Sequence, residues 1–165
     1  MTLCRTSTSS TLLALSLVVC AGVSLPGCGD KGGYRGGKKT KVPYTPGTDK
    51  KASTTDLMTW RTFDEALAAY VAGEPPYDGI GFCFSSADPF AGIDLDGCRD
   101  PETGVIEPWA ARIIADASEG HVEVSPSGTG VHIIVEGCVR DGGMRRGPIE
   151  MYSRGRFFTV TGAVL

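Results

Sequence analysis

The chain is 165 residues long, 41% hydrophobic and 21% charged, with a formal net charge of −3. Those values describe a globular chain able to bury a core and argue against a uniformly basic nucleic-acid coat, although Lys and Arg cluster at Lys31 to Lys51 and Arg140 to Arg156. The six cysteines (Cys4, Cys20, Cys28, Cys83, Cys98 and Cys138) include no Cys-x-x-Cys pair, which argues against a structural zinc and favours reduced thiols over a disulfide framework.

Thr11 to Leu25 is an apolar run followed by Leu25-Pro26-Gly27-Cys28, the pattern of a secretory segment with a lipoprotein-type processing site. It is too short and weakly flanked for a transmembrane helix, and a buried first strand or a misread start of the reading frame explains the same residues. Asp30 to Lys41 is rich in Gly and Lys, so residues 1–40 read as an atypical leader and linker and residues 41–165 as the folded domain. Lys41 opens a short extended segment that runs into Pro46-Gly47. It is either a solvated charge or a phosphate contact.

Thr62-Phe63-Asp64-Glu65 has the form of a capping box, and Phe63, Ala66, Leu67, Tyr70 and Val71 follow at helical spacing before Gly73. One packed face is expected. Pro75-Pro76 prevents continuation, and Gly79 to Phe84 reads as a strand whose short connection to the next suggests antiparallel pairing of the two. That next strand, Phe90 to Asp96, sets Ile93 and Leu95 on one face and Asp94 and Asp96 on the other, about 7 Å apart along the strand. Two such carboxylates repel unless a cation lies between them, and hard divalent cations prefer oxygen ligands. A half-exposed strand that happens to carry two acids accounts for the same pattern. A calcium loop fits worse, because Cys98 stands at the third ligand position.

Beyond the Asp100 to Gly104 turn, Pro108 suits the first position of a second helix with an apolar stripe of Trp109, Ile113, Ile114 and Ala117. His121 to Val124 and Val131 to Val135 read as strands around the turn Ser125-Pro126-Ser127-Gly128-Thr129-Gly130, with His132 opposite the aliphatics of its strand. Ile149 to Tyr152 and Arg156 to Thr161 read as a hairpin through Ser153-Arg154-Gly155, with Glu150 facing away from Ile149 and Met151. The expected fold is α+β, a largely antiparallel sheet with helices on one face.

If the strands carrying Asp94 and Asp96, His132 and Glu150 join one sheet, three carboxylates and an imidazole share a face. Phosphoryl transfer with two cations uses such a set. The Ser127-Gly128-Thr129-Gly130 turn offers backbone amides and a hydroxyl to phosphates.

These segments resemble the archaeo-eukaryotic-type primase superfamily, in its phage- and plasmid-associated bifunctional primase–polymerase branch, from about Lys41 to Gly162. Three motifs stand in order: Gly92-Ile93-Asp94-Leu95-Asp96, then Ser125 to His132, then Pro148-Ile149-Glu150-Met151-Tyr152. The resemblance implies an RRM-like catalytic core over residues 41–165, with Asp94, Asp96 and Glu150 as catalytic ligands of Mg²⁺ or Mn²⁺. It assigns Ser127 and His132, with Gly128 and Gly130 of the same turn, to nucleotide binding. Arg145, Arg146 and Arg156, like Lys41, are surface charges or contacts to nucleic acid or phosphate.

The implied activity is template-directed nucleotidyl transfer in phage- or plasmid-type DNA replication, with nucleoside triphosphates and single-stranded DNA as partners. A replicative helicase domain or protein is a further expected partner, and no stable membrane partner is expected. Such domains commonly continue past the third motif, so a carboxy-terminally truncated or split version is the expectation here. Cytoplasmic localisation follows from the need for template and nucleotides, with a lipid-anchored or secreted chain as the alternative through residues 11–28. Two other functions compete: an inactive nucleotide- or DNA-binding fragment, and an exported lipoprotein.

Overall fold

In a computed structural model, the described residues are the strands β1 (Leu17–Ala21), β2 (Gly33–Arg35) and β3 (Lys38–Thr40) and residues 41–165. Most of the expected leader and linker lies outside them. The described chain is α+β and divides into two compact units with their boundary between Cys83 and Phe84.

The unit that ends at Cys83 contains β1 to β3, β4 (Val42–Tyr44), the helix α1 (Phe63–Ala72) and most of β5 (Gly79–Phe84). β1, from within the apolar run, pairs antiparallel with both β4 and β5, and β2 pairs with β3. α1 begins as expected. The Thr62 hydroxyl accepts from the Glu65 amide, the Glu65 carboxylate accepts from the Thr62 amide at 2.9 Å, and Gly73 closes the helix with φ +68°. The Thr62 amide and hydroxyl, both donating to it, hold the Glu65 carboxyl below its ordinary pKa. The expected packed face is not observed: Ala66 is buried, whereas Phe63, Leu67, Tyr70 and Val71 are exposed, Val71 by 74%. Capping is a contact within four residues, while burial of a stripe needs a neighbour that local sequence does not supply.

The second unit, built on Phe84–Leu165, holds a five-stranded antiparallel sheet in the order β7 (His121–Val124), β8 (Val131–Glu136), β6 (Phe90–Leu95), β10 (Ile149–Tyr152), β9 (Gly143–Arg146). One face is the core. Ile93, Leu95, Val122, Val131, Ile133 and Met151 pack there with Cys98 and Ala110, and Trp109, Ile113, Ile114 and Ala117 close over them from α2 (Pro108–Asp116) and its C-terminal end. Burial among these side chains pushes the Cys98 thiol pKa up. Backbone bonds from Val124 to Ala163 and from Leu165 to Val122 line the free edge of β7 with the residues after β11 (Arg156–Val160).

Two expected pairings do not form. β6 has β8 on one edge and β10 on the other, so neither edge is left for β5. β10 is likewise occupied by β6 and by β9, which Gly147-Pro148 joins to β10. β10 and β11 therefore do not make a hairpin; each strand has only two ladder edges, and the shorter connection took the second one. Among the described residues, no helix is long and apolar enough to cross a membrane.

Candidate active site

The register of the five-stranded sheet determines which polar groups meet. Glu123 on β7 pairs with His132 on β8, His132 with Asp94 on β6, Asp94 with Glu150 on β10, and Glu150 with Arg145 on β9. Directly paired residues share a face, so these five side chains form one transverse row on the face opposite the core. Adjacent members interact: His132 Nε2 is 3.8 Å from Asp94 Oδ1, His132 Nδ1 is 3.8 Å from Glu123 Oε1, and Arg145 Nη1 donates to Glu150 Oε1 at 3.0 Å. The row passes from interior to surface, with side-chain exposure of 1% at Glu123, 5% at His132 and 69% at Arg145.

The inner end is held by aromatic packing and by backbone donors. Phe158 from β11 stacks on the His132 ring with centroids 4.5 Å apart and meets Phe84 edge to face at 4.9 Å. Both rings need Gly92: a Cβ there would stand 2.3 Å from Phe84 and 2.5 Å from Phe158. Glu123 accepts from the amides of Thr161 at 3.0 and 3.1 Å and Gly162 at 3.1 Å, and its Oε2 is 3.2 Å from His121 Nε2. Burial alone would raise the Glu123 pKa, but the facing His132 ring and these donors outweigh it and bring it down to about 2. At 3.8 Å the His132 contact is an ion-pair distance rather than a hydrogen bond.

At the outer end, Glu150 is engaged on both oxygens, by Arg145 and by the Tyr152 hydroxyl, which donates to Oε2. Burial raises the Tyr152 pKa, and the Glu150 carboxylate raises it further. Arg156 lies over the Tyr152 ring at 5.0 Å, so this aromatic bridges an acid and a guanidinium. Arg146 is exposed on β9. Lys41, exposed beside β4, belongs to the other unit.

Asp96 stands one residue beyond the end of β6, exposed in the turn, with its amide donating to Pro148 O at 2.8 Å. Among the described residues, no three His, Cys, Asp or Glu side chains are gathered so as to hold a metal ion. Asp94 and Glu150 nevertheless suit one in kind: they are direct cross-strand neighbours carrying the oxygen donors that Mg²⁺ and Mn²⁺ prefer.

The turn before β8 is internally bonded. Ser125 N donates to Gly130 O at 2.9 Å and Gly128 N to Ser125 O at 2.8 Å, while the Ser125, Ser127 and Thr129 hydroxyls form a chain with spacings of 3.0 and 2.9 Å. The amides of Gly128 and Thr129 are thus used within the turn, and the exposed group is the Ser127 hydroxyl. Gly130 abuts the end of β6, where a Cβ would come 2.7 Å from the Leu95 carbonyl oxygen. Arg99 fixes the other side, its amide bonding Thr129 O at 3.0 Å and its Nη1 bonding Gly128 O at 2.9 Å.

Sequence reading did not single out Glu123, Arg99 or Phe158. For Glu123 a signal was present: alternation in His121-Val122-Glu123-Val124 separates it from the valines, and a tight turn to the next strand sets it near His132. Arg99 and Phe158 had none, since their roles depend on contacts with residues 29 and 26 positions away.

The site is therefore a carboxylate–imidazole row on the sheet face opposite the core, buried at its inner end and exposed at its outer end, beside a hydroxyl-rich turn. No protein-family model matches the chain. Among curated proteins it is similar to the DNA primase-polymerase of Nitratiruptor phage NrS-1, 37% identical over 133 residues. The match covers 77% of this chain and 18% of the phage protein, so the chain spans less than a fifth of that relative's length. That similarity supports a primase–polymerase-type domain in this chain.

Proposed function

We propose that this domain performs template-directed nucleotidyl transfer, making or extending primers on single-stranded DNA with nucleoside triphosphates in the cytoplasm. The observation that carries this reading is the row His132, Asp94, Glu150, in which residues from all three motifs become direct neighbours on one sheet face. Asp94 and Glu150, with Asp96 at the strand end, would hold Mg²⁺ or Mn²⁺. When bound, such cations promote attack by a 3′-hydroxyl and neutralise charge on the departing pyrophosphate. His132 Nε2 and the Ser127 hydroxyl bind the phosphates, and Gly128 and Gly130 shape the turn that presents the hydroxyl. The exposed Arg145, Arg146 and Arg156 attract template or triphosphate electrostatically. An RRM-like core is the corresponding fold, and a replicative helicase domain or protein is the natural partner.

A second reading, a nucleotide- or DNA-binding module without turnover, is favoured by the Arg145 and Tyr152 contacts that occupy Glu150. One experiment separates the two. Mn²⁺-dependent binding of ATP to the whole chain is measured beside the Asp94→Asn/Asp96→Asn double variant, followed by primer synthesis on single-stranded template. The transferase reading expects metal-dependent binding and primer synthesis, both lost in the variant. Binding without synthesis selects the module, and no ATP binding by folded protein overturns the transferase reading and the nucleotide-binding form of the module.

A further inference from the structure

The row contains one charged group that the proposed chemistry does not use. Glu123 is 1% exposed, and a carboxylate at such a site is costly unless its charge is answered. Its contacts are the Thr161 and Gly162 amides, His121, and the inner edge of His132. His132 Nδ1, facing Glu123 Oε1 at 3.8 Å, is buried and has no hydrogen-bond partner among the described residues. Phe158 covers one flat side of the same ring. With one edge and one side constrained, the remaining nitrogen, Nε2, is on the edge beside Asp94.

Resting on the nucleotide reading above, we propose that Glu123 is a positioning residue that orients the His132 imidazole, so that Nε2 is presented to the phosphates of the incoming triphosphate. The carboxylate draws Nδ1 to its own side and thereby selects the ring's orientation, leaving Nε2 on the cleft side as the nitrogen whose N–H would donate to phosphate oxygens. The amides of Thr161 and Gly162 hold the carboxylate itself, so the backbone after β11 sets the geometry at one remove. Were Glu123 only a tie for that backbone, its removal would act independently of His132.

The test compares wild type, Glu123→Gln, His132→Ala and their double variant as whole chains, by Mn²⁺-dependent ATP binding and by the nitrogen-15 spectrum of the histidine rings recorded without nucleotide. The chain has two histidines, so His132→Ala assigns the signals. In Glu123→Gln the His132 ring signals move and ATP affinity falls on the order of tenfold, with no further loss when His132 is already alanine. Unchanged ring signals in folded Glu123→Gln, or losses that add fully to those of His132→Ala, overturn the proposal. If Glu123→Gln does not fold, Glu123→Asp keeps the charge and withdraws it from the ring; shifted ring signals support the positioning role and wild-type signals overturn it. Absence of ATP binding by wild type refutes the nucleotide reading, whereas unchanged ring signals refute the positioning role, so the two failures are distinct.

Discussion

The two faces of the five-stranded sheet are built from the same strands but obey different rules. On one face Ile93, Leu95, Val131, Ile133 and Met151 lie under α2, and their contribution comes from excluded water and close packing. On the other, Glu123, His132, Asp94, Glu150 and Arg145 form a polar row in which two carboxylates, Asp94 and Glu150, are direct neighbours, and Phe84 and Phe158 cover the inner half. The first face stabilises the fold, and the second uses that stability to hold like-charged groups close together. A position can therefore be buried on either face for opposite reasons.

The largest expected effect is on the aliphatic face. Ile133→Ala, at a fully buried position, should lower stability by about 2–5 kcal/mol in urea unfolding. Asp94→Asn, the direct neighbour of His132 on the polar face, should by contrast abolish Mn²⁺-dependent ATP binding while leaving the unfolding midpoint near that of wild type. A large loss of stability in Asp94→Asn would mean that the two faces are not separable.

Acid sharpens the comparison. Glu123 has a folded-state pKa of about 2 against an ordinary 4.5, so its stabilising contribution is fully present above about 4.5 and is lost as pH falls toward 2. The amount is on the order of 3 kcal/mol, and Glu123→Gln should flatten that part of the stability profile. An unaltered acid limb in the variant would assign the limb to other carboxylates. Next in size is Gly92→Ala, for which a shift of the Phe84 and Phe158 rings is expected to cost about 1–3 kcal/mol by thermal unfolding and to loosen His132. The smallest effect is at the exposed end: Arg145→Ala should change stability by less than about 0.5 kcal/mol, because water and salt screen its ion pair with Glu150. A larger loss would show that the outer end is as tightly coupled as the inner one.

The two helices show how far local sequence carries. α1 has a complete capping box and a left-handed glycine stop, and both are formed, yet Val71 and Phe63 of its apolar stripe are exposed. α2 has no side-chain cap at Glu107, yet Trp109 and Ile113 pack against the core. Local signals locate a helix end; they do not supply the surface against which the helix packs.

The sequence by itself determined the elements that short-range chemistry controls: the start of α1, the proline at the head of α2, and the alternation that sends Asp94, His132 and Glu150 away from the aliphatics. Its three ordered motifs also indicated the primase–polymerase relationship. Tertiary structure decided the rest. Strand order gave β6 the neighbours β8 and β10 in place of β5, register set Glu123 against His132, and the β9–β10 ladder brought Arg145 to Glu150. Alternation specifies the face on which a side chain stands, but a strand edge accepts any ladder that closes favourably, so the partner across that edge is chosen only when all the strands compete for it.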